Sequence, residues 1–558
     1  MYLLGLNTGV HDASAVLLRD GSLRHFAEQE RISRRKHAVF QSPREAAEAC
    51  LAAEGIGLDQ VSAIAVGWDL PSTALGGSRR FTPEGMRRWL FPDAPAGSLP
   101  PLRWIPHHLA HAASAYYPSG FDNAAALVLD GAGETQATSL YRAGPAGLEL
   151  LREWPITESL GFYYGLAAEW TGLDRHFGAG KLMGLAAYGR LREGLRLGRA
   201  ADGYEITACP DDPSAGDGAA QAVGMDVPES FVKAVRAEFS AVYPYQTREG
   251  EDAISYADFA ASVQDGLTEA ILGLAELAHR ETGASDLVVA GGVAMNCSAM
   301  GELVRRGPFE RVFVPPVPTD AGVALGAALV VAAEHEPFAP TTIDHAYWSD
   351  PIDPAAALTA VTDAGLAFRE LAPTALAARA AAAIAHGKIV GWARGRAEIG
   401  QRALGARSIV ADPRDRRNLE RLNRLKGREM WRPVAPSVAA ERIGELIEGE
   451  PGHPARFMLS AMTVRPDMRH RVPAITHVDG SARPQLVDRA TNPLYWQLIE
   501  EFRLLTGVPA VVNTSFNLAD EPIVHTAGDA VATFVRSGLD LLVLGDLLVA
   551  REAADLEP

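Results

Sequence analysis

The chain has 558 residues, of which 47% are apolar and 22% are charged, the composition of a globular protein with roughly two to four domains. Its 52 Lys and Arg against 69 Asp and Glu give a formal charge of −17. This acidic balance argues against a nucleic-acid partner, because a phosphate backbone is neutralised by clustered cations. The three cysteines, Cys50, Cys209 and Cys297, are too few for a disulfide framework and favour a reducing, cytoplasmic location.

The hydropathy pattern does not predict a membrane partner. The opening segment, MYLLGLNTGVHDASAVLL, lacks a basic region and is interrupted by polar residues, so we do not expect a signal peptide. The longest apolar stretch, residues 322–333, is shorter than the roughly 20 residues that span a bilayer. The sequence leaves the oligomeric state open.

The N-terminal part begins with three predicted strands, the second and third joined by an Asp20-Gly21 turn. Residues 127–144, LVLDGAGETQATSLYRAG, form a weaker copy in which Asp130 aligns with Asn7 and Glu134 aligns with His11. A duplicated unit of this kind suggests two similar lobes whose turns approach one nucleotide from opposite sides. Two unrelated hairpins are the alternative.

Alternating helices and apolar strands follow and indicate α/β architecture. Residues 258–281 have helical spacing and end before Gly283, and 287–296 form a predicted buried strand that breaks into a helix at two glycines. A proline-rich stretch without periodicity, 334–354, predicts a domain boundary. The second α/β unit has a predicted helix at 373–386 and predicted strands at 388–395, 508–516 and 539–551.

A histidine pair suggests a metal site. His107 and His111 are four residues apart, so on a helix both imidazoles lie on one face and can bind one ion. Alone, this spacing is more typical of buried or surface histidines, and His108 lies between them. Asp320, where a strand gives way to a helix, could complete the set or act as a helix N-cap. Two histidines and one carboxylate suggest non-haem Fe(II), with Zn²⁺ as the alternative.

Two glycine-containing segments and a cation-rich segment suggest phosphate binding. The glycines at 290–296 would let the backbone approach a nucleotide, with helix–strand packing as the alternative. In 178–189, Lys181 lies among small residues and could serve as a point charge for phosphate, although a flexible surface loop explains this segment equally well. The C-terminal segment 395–433 concentrates cations that could converge on phosphates, while some must be solvated or paired with carboxylates. These cations are Arg394, Arg396, Arg402, Arg407, Lys426, Arg428 and Arg432. NTSFN, at 513–517, follows an apolar strand, a position where α/β sheets often bind ligands.

Together the motifs resemble those of the O-carbamoyltransferases of the nodulation-factor, cephamycin and tobramycin type. The similarity covers nearly the whole chain in the family's order. It is carried by LGLNTGVHDASAVLL, EQERISRRKH (28–37), HHLAHAASAY (107–116), LDGAGE (129–134), GKLMGLAAYG (180–189), GGVAMNC (291–297), PTDAGVALGAA (318–328), EIGQRALGARSIVADPR (398–414), KGREMWRPVAPSV (426–438) and NTSFNLADEPIV (513–524).

The resemblance implies an α/β fold with a duplicated actin/sugar-kinase/Hsp-like N-terminal domain, residues 1–345, and a YrdC-like C-terminal domain, residues 356–558. It implies that the C-terminal domain makes carbamoyl adenylate from carbamoyl phosphate and ATP, with Mg²⁺ accompanying ATP. The N-terminal domain would transfer the carbamoyl group to a hydroxyl of a natural product, such as a sugar, an aminoglycoside or a glycosylated polyketide or macrolide, and release AMP.

The resemblance also implies roles for residues at the matched positions. The ligands of Fe(II), Zn²⁺ or another divalent ion would be His107, His111, Asp320 and Asp130. The residues around the adenylate would be Gly291, Gly292, Asn296 and Lys181. Those that bind carbamoyl phosphate and ATP would be Arg402, Arg407, Lys426, Arg432, Arg483, Asn513, Ser515 and Asn517.

His11 is the expected general base for the acceptor hydroxyl, with Asp12 orienting it, because the ordinary imidazole pKa of about 6.5 suits proton transfer near neutrality. The alternative is that His11 only binds substrate. Acceptor specificity would lie in the loops at 68–95 and 154–177. Competing functions are a threonylcarbamoyl-type transferase, which the acidic charge opposes, and an ATP-dependent small-molecule kinase, which leaves the C-terminal cations unexplained. An ATP-binding scaffold with decayed sites would lack motif residues, and none is missing.

Overall fold

The computed structural model describes residues 1–72, 82–207, 227–244, 253–335 and 337–556. The chain forms two compact units: the first comprises Met1–Gln29 and His37–Ile343, and the second comprises Glu30–Lys36 and the residues from Asp344 onward. The division at residue 343 falls within the proline-rich stretch 334–354, whereas the excursion Glu30–Lys36 has no counterpart in the predicted boundaries. Within the described ranges, no helix is both long and apolar enough to cross a membrane.

The first unit contains two five-stranded sheets. The strands of the first sheet are β1 (Tyr2–Asn7), β2 (Ser14–Arg19), β3 (Ser22–Glu28), β4 (Val61–Val66) and β5 (Leu102–Trp104). The second sheet begins with β6 (Ala124–Leu129), β7 (Gln136–Gly144) and β8 (Gly147–Pro155). A separate ribbon of β9 (Gly198–Ala200) and β10 (Gly203–Glu205) precedes its last strands, β11 (Asp286–Ala290) and β12 (Arg311–Phe313).

The two sheets share one topology. Their orders are β3-β2-β1-β4-β5 and β8-β7-β6-β11-β12. Counted in chain order, the first strand of each sheet is antiparallel to the second and parallel to the fourth. The fourth strand is in turn parallel to the fifth. The duplication expected for the N-terminal part is confirmed by this repeat. Asn7, which the predicted alignment pairs with Asp130, is the last residue of β1, and Asp130 directly follows β6.

The helices up to residue 332 are α1 (Gln29–Ser33), α2 (Arg44–Glu54), α3 (Pro83–Leu90), α4 (His107–Ser119), α5 (Leu160–Trp170), α6 (Ala179–Ala186), α7 (Glu229–Val242), α8 (Ala257–Thr282), α9 (Cys297–Arg306) and α10 (Val323–Ala332). Helices α4 and α10 pack backbone to backbone: a Cβ on Gly326 would lie 1.7 Å from the carbonyl oxygen of Ala110. Only glycine permits this approach, which brings the histidines of α4 towards Asp320, just before α10.

The second unit is built on one mixed sheet of order β13-β22-β21-β14-β15-β20-β16-β19. The strands of the unit are β13 (Ala367–Glu370), β14 (Val390–Ala393), β15 (Arg407–Ala411), β16 (Ala435–Ala439), β17 (Met462–Thr463), β18 (Ser481–Ala482), β19 (Gln485–Val487), β20 (Ala510–Ser515), β21 (Leu541–Leu544) and β22 (Leu547–Ala550). Its helices after the linker are α11 (Pro354–Asp363), α12 (Pro373–Ala385), α13 (Arg416–Leu425), α14 (Ile443–Leu446), α15 (Pro466–Arg469), α16 (Pro493–Thr506) and α17 (Ala527–Arg536). The sheet and the helices that cover it enclose an apolar core.

Candidate functional site

Four buried side chains of the first unit form a cluster that can hold a metal ion. His107 and His111 project from α4, Asp130 follows β6, and Asp320 precedes α10. The two Nε2 atoms are 3.2 Å apart, and each lies 3.5–3.8 Å from the nearest oxygens of the two carboxylates. Ligands that share one ion at bonds of about 2.1 Å lie roughly 3–3.5 Å apart, so the donor set fits a divalent cation with little adjustment.

The surrounding hydrogen bonds orient His107. Its Nδ1 faces the carbonyl oxygen of Gly67 at 3.0 Å, which leaves Nε2 for the metal site. Its ring stacks on Trp68 with 3.7 Å between centroids, and Trp68 in turn donates to the side chain of Asn7. The carboxylate of Glu134 accepts the backbone N–H of His107 at 3.0 Å and that of Asp69 at 2.8 Å. The neighbouring His108 is bonded to a serine on β7 and takes no part in the cluster.

The charges of the cluster also favour a cation. Burial disfavours a charged imidazole, but Asp320 and Asp130 outweigh it and raise the pKa of His107 to about 10. Burial likewise opposes ionisation of Asp320, yet His107 and His11 hold the pKa of its carboxyl well below the usual range. Two adjacent buried carboxylates therefore stay ionised only because cationic groups face them. A divalent metal ion can supply this positive charge instead.

His11 lies at the edge of this cluster. Its Nδ1 is 3.2 Å from Oδ2 of Asp12, and its Nε2 is 4.0 Å from Asp320. Burial lowers the pKa of His11, but Asp320 and Asp12 outweigh this effect and raise it to about 9. The structure thus brings together the expected base, its expected partner Asp12 and the expected metal ligands.

The glycine turn joins the same cluster. Gly291 has φ +94°, and a Cβ there would lie 2.1 Å from the carbonyl oxygen of Leu129. Gly292 donates its N–H to Oδ1 of Asp130 at 2.8 Å. Asn296 caps α9, and its amide is paired with that of Gln264 on α8. Lys181 lies half-buried in the first turn of α6.

In the second unit, three arginines lie close enough to repel one another. Burial, with Arg432 and Arg483 adding to it, lowers the pKa of Arg428 to about 9. Burial and Arg483 also lower the pKa of Arg432, although Glu429 opposes them. Among the described residues, no hydrogen-bond partner faces Nη2 of Arg428 or Nε of Arg483, although both atoms are buried. Arg428 is one of the cations noted in the segment 395–433, but it is not among the residues that the resemblance assigns to carbamoyl phosphate and ATP.

Other predicted residues have their polar atoms engaged within the protein. Lys426 donates to Ser515 and Asn517, with contacts of 2.5 Å to the carbonyl oxygen of Ser515 and 2.8 Å to the side chain of Asn517. Burial, together with Arg428 and Arg432, holds the pKa of Lys426 well below its usual range. Lys426 therefore fixes the NTSFN loop to the start of the segment that carries Arg428 and Arg432.

Arg407 and Asn513 were both expected to bind phosphate, and most of their polar atoms are bonded to other parts of the protein. The Arg407 guanidinium is fully buried and donates to carbonyl oxygens of Asp350, Gly395 and His525, among others, so it supports loops. Asn513 donates to three neighbours from Nδ2, while its buried Oδ1 has no partner within the described chain. Arg402 is half-buried in the loop before β15.

Comparison with known proteins gives the site a family. The family models described as Carbamoyltransferase N-terminus and Carbamoyltransferase C-terminus match residues 94–329 and 381–551. The uncharacterized protein sll1178 of Synechocystis sp. is 33% identical over 99% of this chain and 97% of its own. The nodulation protein NolNO of Sinorhizobium fredii is 34% identical, over 99% of this chain and 80% of its own.

A third relative agrees with these matches. The nodulation protein NolO of Bradyrhizobium diazoefficiens is 35% identical over 81% of this chain and 80% of its own. The two domain models together cover most of the chain, and the three relatives match over 81–99% of it. The chain belongs to the carbamoyltransferase family, as an O-carbamoyltransferase.

Proposed function

We propose that this O-carbamoyltransferase makes its own activated donor in the second unit, which we take to be YrdC-like, and uses it in the first. Carbamoyl phosphate, ATP and one water would give carbamoyl adenylate, pyrophosphate and phosphate. An acceptor alcohol would then attack the carbonyl carbon of the adenylate, forming the O-carbamate and releasing AMP and a proton. The acceptor we expect is a hydroxyl of a natural product such as a sugar, an aminoglycoside or a glycosylated polyketide.

The observation that carries this proposal is the group of mutually repelling cations around Arg428, Arg432 and Arg483. Burying like charges beside one another costs stability unless an anion offsets them. Carbamoyl phosphate and the ATP phosphates supply such an anion, and a guanidinium can bind two phosphate oxygens at once. Lys426 holds Ser515 and Asn517 by hydrogen bonds, and we expect their loop to border the site.

In the first unit, His11 would receive the proton of the acceptor hydroxyl once a bound cation offsets Asp320, whose charge otherwise helps to raise the pKa of His11 to about 9. Its Nδ1 is occupied by Asp12, and its Nε2 faces the carboxylate cluster. A divalent ion held by His107, His111, Asp130 and Asp320 would supply positive charge that offsets these carboxylates and the phosphate of the adenylate. We assign this ion as Fe(II), because two imidazoles with carboxylates suit it, and metal analysis of the purified protein tests the assignment.

Release of pyrophosphate and AMP, measured with and without carbamoyl phosphate, tests the proposal. We expect turnover to depend on carbamoyl phosphate, to be lost in Arg432→Ala and to persist as pyrophosphate release in His11→Ala. Arg417→Ala is the matched control, because Arg417 is exposed and pairs only locally with Asp415. ATP turnover that is indifferent to carbamoyl phosphate would contradict the proposal and favour a kinase.

A further inference from the structure

Two short segments of the first unit are joined by their backbones beside His11. The N–H of Asp12 donates to the carbonyl oxygen of His37 at 2.6 Å, and that of Phe40 donates to the carbonyl oxygen of Val10 at 2.7 Å. Asp12, His37 and Phe40 have φ values of +52°, +61° and +55°. Residues with a Cβ rarely adopt this left-handed conformation, and it persists where the surrounding structure enforces it. The fold therefore fixes Asp12 and His37 against each other.

The side chains of these segments share one carboxylate. Oδ2 of Asp12 faces Nδ1 of His11 at 3.2 Å, and Oδ1 faces Nδ1 of His37 at 3.1 Å. With both oxygens engaged by imidazoles, the carboxylate cannot rotate away from either ring. If only His11 contacted the Asp12 carboxylate, the carboxylate could rotate, and the His11 ring could turn with it.

The ring of His37 is held in turn by an aromatic contact. It stacks on Phe177 with 4.0 Å between ring centroids and 14° between ring planes. Phe177 lies just before α6, the helix that carries Lys181. His37 thus connects the His11–Asp12 pair with the segment that leads into that helix.

We propose that His37 is a positioning residue for His11, acting through Asp12. This inference rests on the proposed function, in which His11 accepts the acceptor's proton. The contacts of His37 described above are with Asp12 and Phe177, so it would act on His11 through Asp12. Its contribution is to fix the Asp12 carboxylate in the one orientation that directs Nε2 of His11 towards the carboxylate cluster.

Two substitutions separate the hydrogen bond from the stacking. His37→Asn keeps a donor nitrogen on Cγ, where imidazole Nδ1 stands, and loses the stack; asparagine also tolerates positive φ. His37→Phe keeps the stack on Phe177 and loses the donor. We expect His37→Phe to lower kcat of carbamoyl transfer by about 10- to 100-fold, as small misplacements of reacting groups do, with little change in KM. His37→Asn should restore kcat to within about threefold of wild type.

The measurement uses the full-length, metal-loaded enzyme. Transfer is measured with a panel of methyl glycosides as probe alcohols, and adenylate formation is measured separately by trapping with hydroxylamine, which needs no base. Crystal structures of both variants supply a readout that is independent of the acceptor. We expect the His11–Asp12 contact to survive in His37→Asn and to break in His37→Phe, with thermal melting confirming that both variants fold.

The outcomes distinguish the two hypotheses. If the hydroxylamine product of the wild type does not depend on carbamoyl phosphate, the proposed function is contradicted, regardless of the position of His11 in the variants. If the wild type forms the adenylate and His37→Phe retains both the His11 position and wild-type kcat, the positioning role is overturned. A loss of kcat confined to His37→Asn, with His11 in place, would also overturn it, because it would implicate the aromatic stack alone.

Discussion

The backbone N–H of Gly292 donates to Oδ1 of Asp130 over 2.8 Å. This single bond joins two features that the sequence suggests separately, the glycine-rich turn expected beside a nucleotide and the carboxylate expected beside a metal. A nucleotide phosphate at the turn would therefore be adjacent to the ion held by Asp130. In the proposed reaction, that proximity would stabilise AMP as the leaving group. The positive charge of the ion would already be in place beside the phosphate when negative charge develops on it.

The metal content should depend on the four clustered side chains. Asp320→Asn and His111→Ala should each leave the purified protein with a small fraction of the wild-type metal, because both remove a ligand from a buried set. Elemental analysis measures this content. His279→Gln is the histidine control, since His279 lies at the end of α8 and contacts the Ala284 carbonyl. Full metal occupancy in Asp320→Asn would contradict the assignment of the site.

Metal affinity should rise with pH. In the metal-free protein the pKa of His107 is raised to about 10, so its Nε2 carries a proton at neutral pH that a metal must displace. Raising the pH from 6.5 to 8.5 removes part of this competition, and each displaced proton adds up to about tenfold in affinity per pH unit. Chelator competition at several pH values measures the slope. A flat profile would show that the cluster binds metal without releasing protons.

Much of the first unit could be predicted from local pattern. The helix expected at 258–281 is observed as Ala257–Thr282, and it ends at Gly283 with φ +66°. The two related hairpins become two sheets of identical order. The helix and the hairpins depend on neighbours a few residues apart, which periodicity and turn residues encode directly, whereas the complete sheets also pair strands that are far apart in sequence.

The second unit shows what local sequence patterns do not encode. Arg407 lies in a cation-rich segment, but its guanidinium is satisfied by carbonyl oxygens of Asp350 and His525, far away in the sequence. No local pattern distinguishes this supporting arginine from Arg428, whose Nη2 is buried without a partner in the described structure. Likewise, Glu134 was noticed only by its alignment with His11, and nothing in its own segment indicated that it binds the backbone of α4. The expected acceptor loop at 68–95 includes residues 73–81, which lie outside the described ranges.

Glu134 should tune metal affinity without being a ligand. Its carboxylate accepts the N–H of His107 and that of Asp69, and so holds the start of α4 against the loop after β4. Glu134→Gln keeps an acceptor but loses the charge, and we expect metal affinity to fall by about 10- to 100-fold, as for other residues that orient metal ligands. Chelator competition measures the loss. Glu149→Gln, at an exposed position on β8, should leave affinity unchanged.

We expect Arg483 to lower the stability of the ligand-free protein and to contribute to the binding of carbamoyl phosphate. Its charge lowers the pKa of both Arg428 and Arg432, so Arg483→Met relieves repulsion and should raise the melting temperature of the ligand-free protein slightly. The same substitution should abolish the rise in melting temperature that carbamoyl phosphate causes in the wild type, because a ligand that binds only the folded state stabilises it. Differential scanning fluorimetry measures both effects. Arg417→Met, with an exposed guanidinium, should change neither; a full ligand response in Arg483→Met would remove Arg483 from the site.

The glycine turn should tolerate no side chain at Gly291. Its φ of +94° is unfavourable for any other residue, and a Cβ would lie 2.1 Å from the carbonyl oxygen of Leu129. Gly283 provides the matched control, because it has φ +66° but nothing within 4 Å of a Cβ. Gly283→Ala should therefore lower the free energy of unfolding by only about 1–2 kcal/mol, the cost of the left-handed backbone. Gly291→Ala should cost clearly more in denaturant unfolding and should also reduce metal content, since the displaced turn carries the Gly292 N–H away from Asp130. Equal losses for the two variants would mean that β6 moves aside at little cost.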